Sequence, residues 1–388
     1  GSRVTRGRSS GGWKGSADVG GEPDDSLLRL ARQDLVAMPP YAPVEPPDVL
    51  AKRLGIPEER LVKLDGNENP YGPSPRVREA MARYPNYHIY PDPEQRRMRE
   101  AVAGYVGVDP ERIVVGNGSD ELLDLTGRLF ISPGDAVVNA PPTFGIYEFV
   151  ARTYGARLVE APRREDFALD VDAMEAALAA GAKLVFVSSP NNPTGNAVLP
   201  EALERLLAHE TAVVVDEAYA EFAGGSFVPL TAQHDNLIVV RTFSKWAGLA
   251  GLRAGYGVFP PAVAETIRKI KMPYNMNVAA QAAVLASLED RDALSRNVER
   301  IVEERGRMAE RLARFPWLRV YPSQANFLLC QVQGRPATEV QSQLRERGVL
   351  VRYFDAPGVR GCIRISVGRP EDTDRLVKAL AEIGAGVA

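Results

Sequence analysis

Short runs of β-branched and apolar residues recur along the first two thirds of the chain, each closed by a turn and followed by a segment with helical periodicity. Ile113-Val114-Val115, Ala136-Val137-Val138, Arg157-Leu158-Val159, Lys183 to Ser188, Ala212 to Val215 and Leu237 to Val240 are these runs. Such strands alternating with helices predict an α/β fold around a mostly parallel sheet. Ligands of such sheets sit at the carboxyl ends of the strands. Asn192, Asp216 and Lys245 each lie just past a strand's carboxyl end, so the pattern predicts one common site for the three.

The stretch from Val240 to Arg253 carries the most chemistry. An amine directly behind a buried strand stands in low-dielectric surroundings, where desolvation favours its neutral, nucleophilic form. A neutral Lys245 amine is suited to a Schiff base with an aldehyde. Thr242, Ser244 and Arg253 supply donors of the kind a phosphate takes. An aldehyde that also bears a phosphate is pyridoxal phosphate. Upstream, Gly116-Asn117-Gly118-Ser119-Asp120-Glu121 joins a strand to a helix that runs through Phe130. Its amides stand at the positive end of the helix dipole, which also suits a phosphate. Taken singly, each stretch has a plainer reading: a surface lysine in a Gly-rich loop, a short connection, an aspartate closing a buried strand.

With 388 residues the chain is long enough for two domains. Beyond Pro260-Pro261 the pattern changes. Leu294, Val298, Ile301, Met308 and Leu312 keep helical spacing over a long charged segment. Strands at 326–332, 350–353 and 362–367 and a last helix carrying Leu376, Leu380 and Ile383 complete a smaller α+β region. The expected division is a leader-like segment over 1–38, an arm and part of the small domain over 39–90, a large domain over 91–274 and a small domain over 275–388.

Residues 1–24 are rich in Gly, Ser and Arg and lack an apolar period, which predicts disorder. Gly1-Ser2 has the look of a cloning scar. Basic, Ser-rich stretches of this kind also occur in organelle transit peptides, so a cytoplasmic location is the default expectation and an organelle stroma its alternative. Residues 26–35 predict a short helix, and the five prolines within 39–47 an extended run. Leu64 to Pro73 is dense in turn formers.

A formal charge of −3 gives no reason to expect nucleic acid as a partner. His88, His209 and His234 share no ligand spacing, which argues against metal catalysis. Cys330 and Cys362 fall in predicted strands without a CxxC pattern and read as buried free thiols. No apolar run approaches the roughly 20 residues of a membrane helix.

Three motifs, Ser189-Pro190-Asn191-Asn192-Pro193-Thr194-Gly195, Asp216-Glu217-Ala218-Tyr219 and Ser244-Lys245 with Arg253, occur in an order and at separations that resemble the fold-type I, pyridoxal-phosphate-dependent aminotransferases. Asn67-Glu68-Asn69-Pro70-Tyr71-Gly72, Tyr90-Pro91-Asp92, Val351-Arg352-Tyr353 and Ile363-Arg364-Ile365-Ser366 extend the likeness from about residue 39 to the end. The resemblance implies a large domain with a mostly parallel central sheet, a smaller α+β domain and an N-terminal arm.

It also implies a role for each matched residue. Lys245 is the implied attachment point and proton carrier. Asp216 pairs with the pyridine nitrogen, and Tyr219 and Asn192 bond the phenolic oxygen. Phe144 occupies the place of a stacking aromatic that is often tyrosine, so the ring is kept and the hydroxyl lost. Gly118, Ser119, Asp120, Thr242, Ser244 and Arg253 surround the phosphate. Tyr90 is implied to reach it from a partner subunit, which makes a homodimer with shared sites.

Arg364 corresponds to the arginine that holds a substrate carboxylate. With Arg352, and Tyr71 from the other subunit's arm, it is also suited to a phosphate. Within the family the likeness points to L-histidinol phosphate as amino donor and 2-oxoglutarate as acceptor, a step of histidine biosynthesis. The alternatives are an aromatic amino-acid aminotransferase and, in another reaction class, a threonine-phosphate decarboxylase. The aminotransferase-like effector domain of a transcription regulator is disfavoured, because residues 1–38 are too short and Gly-rich for a winged helix.

Overall fold

The structure, a computed structural model, describes residues 27–40 and 45–385. Two contact units, 1–40 and 41–388, are distinguished. In the first, the helix expected over 26–35 is replaced by a 3-10 turn at Leu28–Leu30 and one α-turn at Gln33–Val36. Ala31 and Arg32 are extended between them. The Gln33 side-chain amide donates across this break to the carbonyls of Leu28 and Ala31 at 2.8 and 2.9 Å, the first of which also accepts the Ala31 amide. Disorder expected over 1–24 lies outside the described residues, as does part of the proline-rich run. The remainder of that run ends at Pro46. Pro47 opens the helix Pro47–Leu54, at a position where a missing N–H costs nothing.

Among the described residues of the second unit, twelve strands form two sheets. The larger takes β2 (Ile113–Gly116), β3 (Ala136–Asn139), β4 (Arg157–Glu160), β5 (Leu184–Ser188), β6 (Ala212–Asp216), β7 (Leu237–Thr242) and β8 (Gly255–Val258). Their order is β2-β8-β7-β6-β5-β3-β4, and only β8 runs against its neighbours. The central strands are buried throughout, which is why they read as unbroken apolar runs. The smaller sheet takes β1 (Val62–Leu64), β9 (Leu318–Val320), β10 (Phe327–Val332), β11 (Val349–Tyr353) and β12 (Cys362–Ser366), in the order β1-β11-β12-β10-β9. Chain from the arm thus completes a sheet otherwise drawn from the last quarter of the sequence.

The helix Arg291–Leu312 buries Leu294, Val298, Ile301, Met308 and Leu312, the stripe expected of it. Cys330 and Cys362 are buried and free. Among the described residues no helix is long and apolar enough to cross a membrane, and no cluster of three or more His, Cys, Asp or Glu side chains is arranged for a metal ion.

Parallel pairing of β5, β6 and β7 brings their carboxyl ends to one edge, and β2 ends there too because β8 reverses between it and β7. Closeness at this edge depends on Gly255. A Cβ there would lie 2.5 Å from the carbonyl carbon of Gly118 and 2.6 Å from the amide nitrogen of Ser119. Backbone on both sides leaves no flexible group to yield. Gly255→Ala should therefore lower the stability to urea by roughly 1–3 kcal/mol, the usual cost of overpacking; an unchanged midpoint would contradict this contact.

Candidate active site

One cavity of about 670 Å³ opens at the carboxyl edge of the large sheet and reaches the small one. Asp216, the last residue of β6, is at its buried floor with 3 % of its surface exposed. Its two oxygens accept from the Tyr147 hydroxyl at 2.9 Å and the Ala218 amide at 3.0 Å. It forms no ion pair among the described residues. Burial pushes the carboxyl up to about 6, while the Tyr147 and Ala218 bonds resist the rise and Asp120 and Glu217 add to it. A buried carboxylate of this kind, with lone pairs to spare, is matched by a cationic N–H group.

Lys245 follows β7 by three residues. Its amine donates to the Gly66 carbonyl at 3.1 Å and stands 5.9 Å from the centre of the Tyr219 ring. Burial, then the positive charge of Arg364, brings the ammonium down to about 8. The Tyr219 hydroxyl accepts from the Asn67 amide at 3.0 Å. Asn192, past β5, accepts at Oδ1 from Arg364 at 2.6 Å.

Beside these, the Thr242 hydroxyl donates to Ser244 Oγ at 2.9 Å and accepts the Ser244 amide at 3.0 Å. Arg253 reaches Ser244 Oγ at 3.5 Å and Asp120 at 2.9 Å. Ser119 completes this cup at the start of the helix Gly118–Phe130, where Gly118 gives room to the guanidinium. Phe144 lines the cavity wall, with its ring edge-on to Tyr147 at 5.7 Å.

Arg352 and Arg364 are cross-strand partners on β11 and β12, and both face the cavity. Like charges directly opposite each other on a sheet repel. Such a pair is favoured where an anion comes between. Arg364 is buried and donates to the Asp65 carbonyl at 2.6 Å.

Three expected residues do not line the cavity of their own chain: Gly118, which lies behind Ser119 against the Arg253 guanidinium, and two tyrosines. Tyr71 lies with its ring 3.8 Å from the Arg300 guanidinium and 5.5 Å from that of Arg369. Tyr90 is 79 % exposed and stacks on Tyr274 at 4.6 Å.

Other contributors lay beyond the sequence reading. Tyr147 follows Phe144 by three residues, the spacing that puts two aromatics on one side of a helix start, and this was its only trace. Asn67 takes a left-handed φ of 52°, which Asn tolerates better than most residues; the turn-forming composition of 64–73 pointed to the bend but not to its bond with Tyr219. Asn191 accepts from the Thr143 hydroxyl at 2.7 Å and donates to the Pro142 carbonyl at 3.0 Å, and so ties the Phe144 loop to β5.

A desolvated lysine, a buried carboxylate without a cation and a cup of hydroxyls, amide and guanidinium fit the aldehyde, ring nitrogen and phosphate of pyridoxal 5′-phosphate. Fold and site together define an aminotransferase of fold type I. The model of the family "Aminotransferase class I and II" matches residues 59–380. The chain is 51 % identical over 367 residues to the histidinol-phosphate aminotransferase of Roseiflexus castenholzii, covering 92 % of this chain and 99 % of that one. It is 45 % identical over 352 residues to the chloroplastic histidinol-phosphate aminotransferase of Nicotiana tabacum, covering 90 % of this chain and 85 % of that one. The crystal structure of histidinol-phosphate aminotransferase from Sinorhizobium meliloti in complex with pyridoxal-5′-phosphate superposes with a TM-score of 0.83 at 29 % identity, covering 92 % of this chain and 97 % of that one. The chain belongs to the class I and II aminotransferases.

With its ammonium lowered to about 8, Lys245 should be half deprotonated near that pH. Uptake of pyridoxal phosphate by the cofactor-free protein should accelerate with a midpoint near pH 8. A midpoint above pH 10, that of an ordinary lysine, would contradict the desolvated environment.

Proposed function

We propose that the protein transfers the amino group of L-histidinol phosphate to 2-oxoglutarate, giving imidazole acetol phosphate and glutamate, with pyridoxal 5′-phosphate as cofactor. The cross-strand pair Arg352 and Arg364, in the same cavity as Lys245, carries this reading. Two guanidiniums opposite each other on one cavity wall suit a substrate that carries an anionic group. The donor would bring a phosphate to both guanidiniums, and the acceptor a carboxylate to Arg364. Two guanidiniums converging on a dianion form charge-assisted, two-pronged contacts. The relatives at 45–51 % identity bearing the histidinol-phosphate name support the choice of donor.

When bound, the cofactor supplies an electron sink for the charge that develops at the substrate carbon. Asp216 would sit against the ring nitrogen and keep its proton in place, a task for a carboxylate and not an amide. Tyr219 and Asn192 would hold the phenolic oxygen, and Phe144 would cover the ring face. Gly118, Ser119, Asp120, Thr242, Ser244 and Arg253 would enclose the phosphate. Lys245 would take up and return the proton at the substrate carbon. Donor and acceptor then use one site in turn, so the kinetics are ping-pong.

Two copies would complete the site. Tyr71 and Tyr90 lie outside their own chain's cavity, and Tyr90 lies with the exposed Tyr87, Ile89 and Tyr274 around one surface depression. Such a patch supports burial against a second copy of the chain.

The cofactor's absorbance band should be lost rapidly on mixing with histidinol phosphate, and far more slowly with phenylalanine or threonine phosphate. An equal rate with phenylalanine would move the assignment to an aromatic aminotransferase, and CO₂ release from threonine phosphate to a decarboxylase. Arg352→Ala should raise KM for histidinol phosphate by on the order of 10- to 100-fold, the usual value of bonds to a charged group. The rise for glutamate should be much smaller; equal losses would remove Arg352 from phosphate recognition.

A further inference from the structure

The arginine pair does not stand alone in the cavity wall. Asp65 and Glu68 line the same cavity as Arg352, Arg364 and Lys245. Two carboxylates in that position oppose any anionic substrate. Lys63, the middle residue of β1, places its ammonium between them, 3.0 Å from Asp65 Oδ1 and 2.5 Å from Glu68 Oε2. The approach is closely fitted. A Cβ on Gly66 would lie 2.8 Å from both Lys63 Nζ and Glu68 Oε2, so this residue's lack of a side chain admits the bridge.

The bridged turn holds the site's working groups through its backbone. The Asp65 carbonyl accepts from Arg364 at 2.6 Å, the Gly66 carbonyl from Lys245 at 3.1 Å and the Asn67 carbonyl from Asn326 at 3.0 Å.

We propose that Lys63 is a positioning and specificity residue of the reaction: by bridging Asp65 and Glu68 it offsets their charge, so that the field of Arg352 and Arg364 on the anionic substrate is not cancelled. This rests on the reading of those arginines as the anion site. Lys63 touches no substrate itself and acts through the two carboxylates. The triad carries a net charge of minus one. Removing Lys63 makes it minus two, removing the charge of Glu68 makes it neutral, and removing both restores the original sum. Charge compensation and simple structural support predict opposite results for that double change.

The test is direct binding of inorganic phosphate to the holoenzyme by calorimetry, at low and high ionic strength. Lys63→Met should weaken phosphate by about tenfold at low salt, the size of one charge interaction at the effective dielectric of a part-buried site. High salt should shrink the difference. Lys63→Arg should bind as the parent does, Lys63→Met with Glu68→Gln should regain most of the loss, and Glu68→Gln alone should tighten binding a few-fold. Glu68 is 46 % exposed at its side chain, so that last variant tests the idea even where Lys63→Met fails to fold. Parent-like binding by Lys63→Met, a double variant no better than the single, or no gain from Glu68→Gln would each overturn the proposal. Arg352→Ala is measured alongside. If it binds phosphate as the parent does, the anion-site reading fails; if it weakens binding while the Lys63 and Glu68 variants do not respond as stated, only the role of Lys63 fails.

Discussion

Two ionisable groups are held at one sheet edge in surroundings that disfavour their charge, and the site is built around that cost. Burial raises the Asp216 carboxyl to about 6 and lowers the Lys245 ammonium to about 8. For Asp216 the sign is that of a raised acid. The proton stabilises the folded protein fully below the ordinary carboxylate range, and that stability is lost as pH rises through about 6. On the proposed reading, a protonated ring nitrogen set against the carboxylate would reverse the balance. The same desolvation that makes Asp216 costly alone would make it an effective partner for a pyridinium, and it brings the Lys245 ammonium down to about 8.

The sheet and the turn at 65–67 divide the work of holding these groups. Parallel strands fix Asp216 and Lys245 at adjacent carboxyl ends. The turn reaches from β1 in the other sheet and contacts Lys245, Arg364, Tyr219 and Ser366 by backbone and side-chain bonds. The Lys245 amine, the Arg364 guanidinium and the Tyr219 hydroxyl are therefore held through three consecutive residues. Under the large sheet, Arg241 on β7 stands 3.4 Å from both Glu217 and Glu221, so the strand that leads into Lys245 is anchored by buried charge as well as by apolar packing.

Much of this was legible before any coordinates. Buried parallel strands announce themselves as apolar runs, and ligand sites at their ends follow from topology, so Asn192, Asp216 and Lys245 were grouped by position alone. Helix 291–312 was equally plain, because its stripe keeps one period over six turns. What escaped depends on contacts between distant segments. Asn67 and Tyr219 are 152 residues apart, and Tyr147 and Asp216 are 69 apart. No periodicity encodes such pairs. The pairing of β1 with β11 was hidden for the same reason, since a three-residue strand has too little pattern to mark it. The helix expected near residue 30 is broken where Ala31 and Arg32 are extended, and the Gln33 side chain that bridges this break leaves no mark in the apolar pattern.

The most direct test is chemical. The protein loaded with pyridoxal phosphate is reduced with borohydride and digested with trypsin. The account predicts the added mass of the reduced cofactor on the peptide from Thr242 to Arg253, uncut at Lys245. The same mass on any other peptide, or on none, would contradict it.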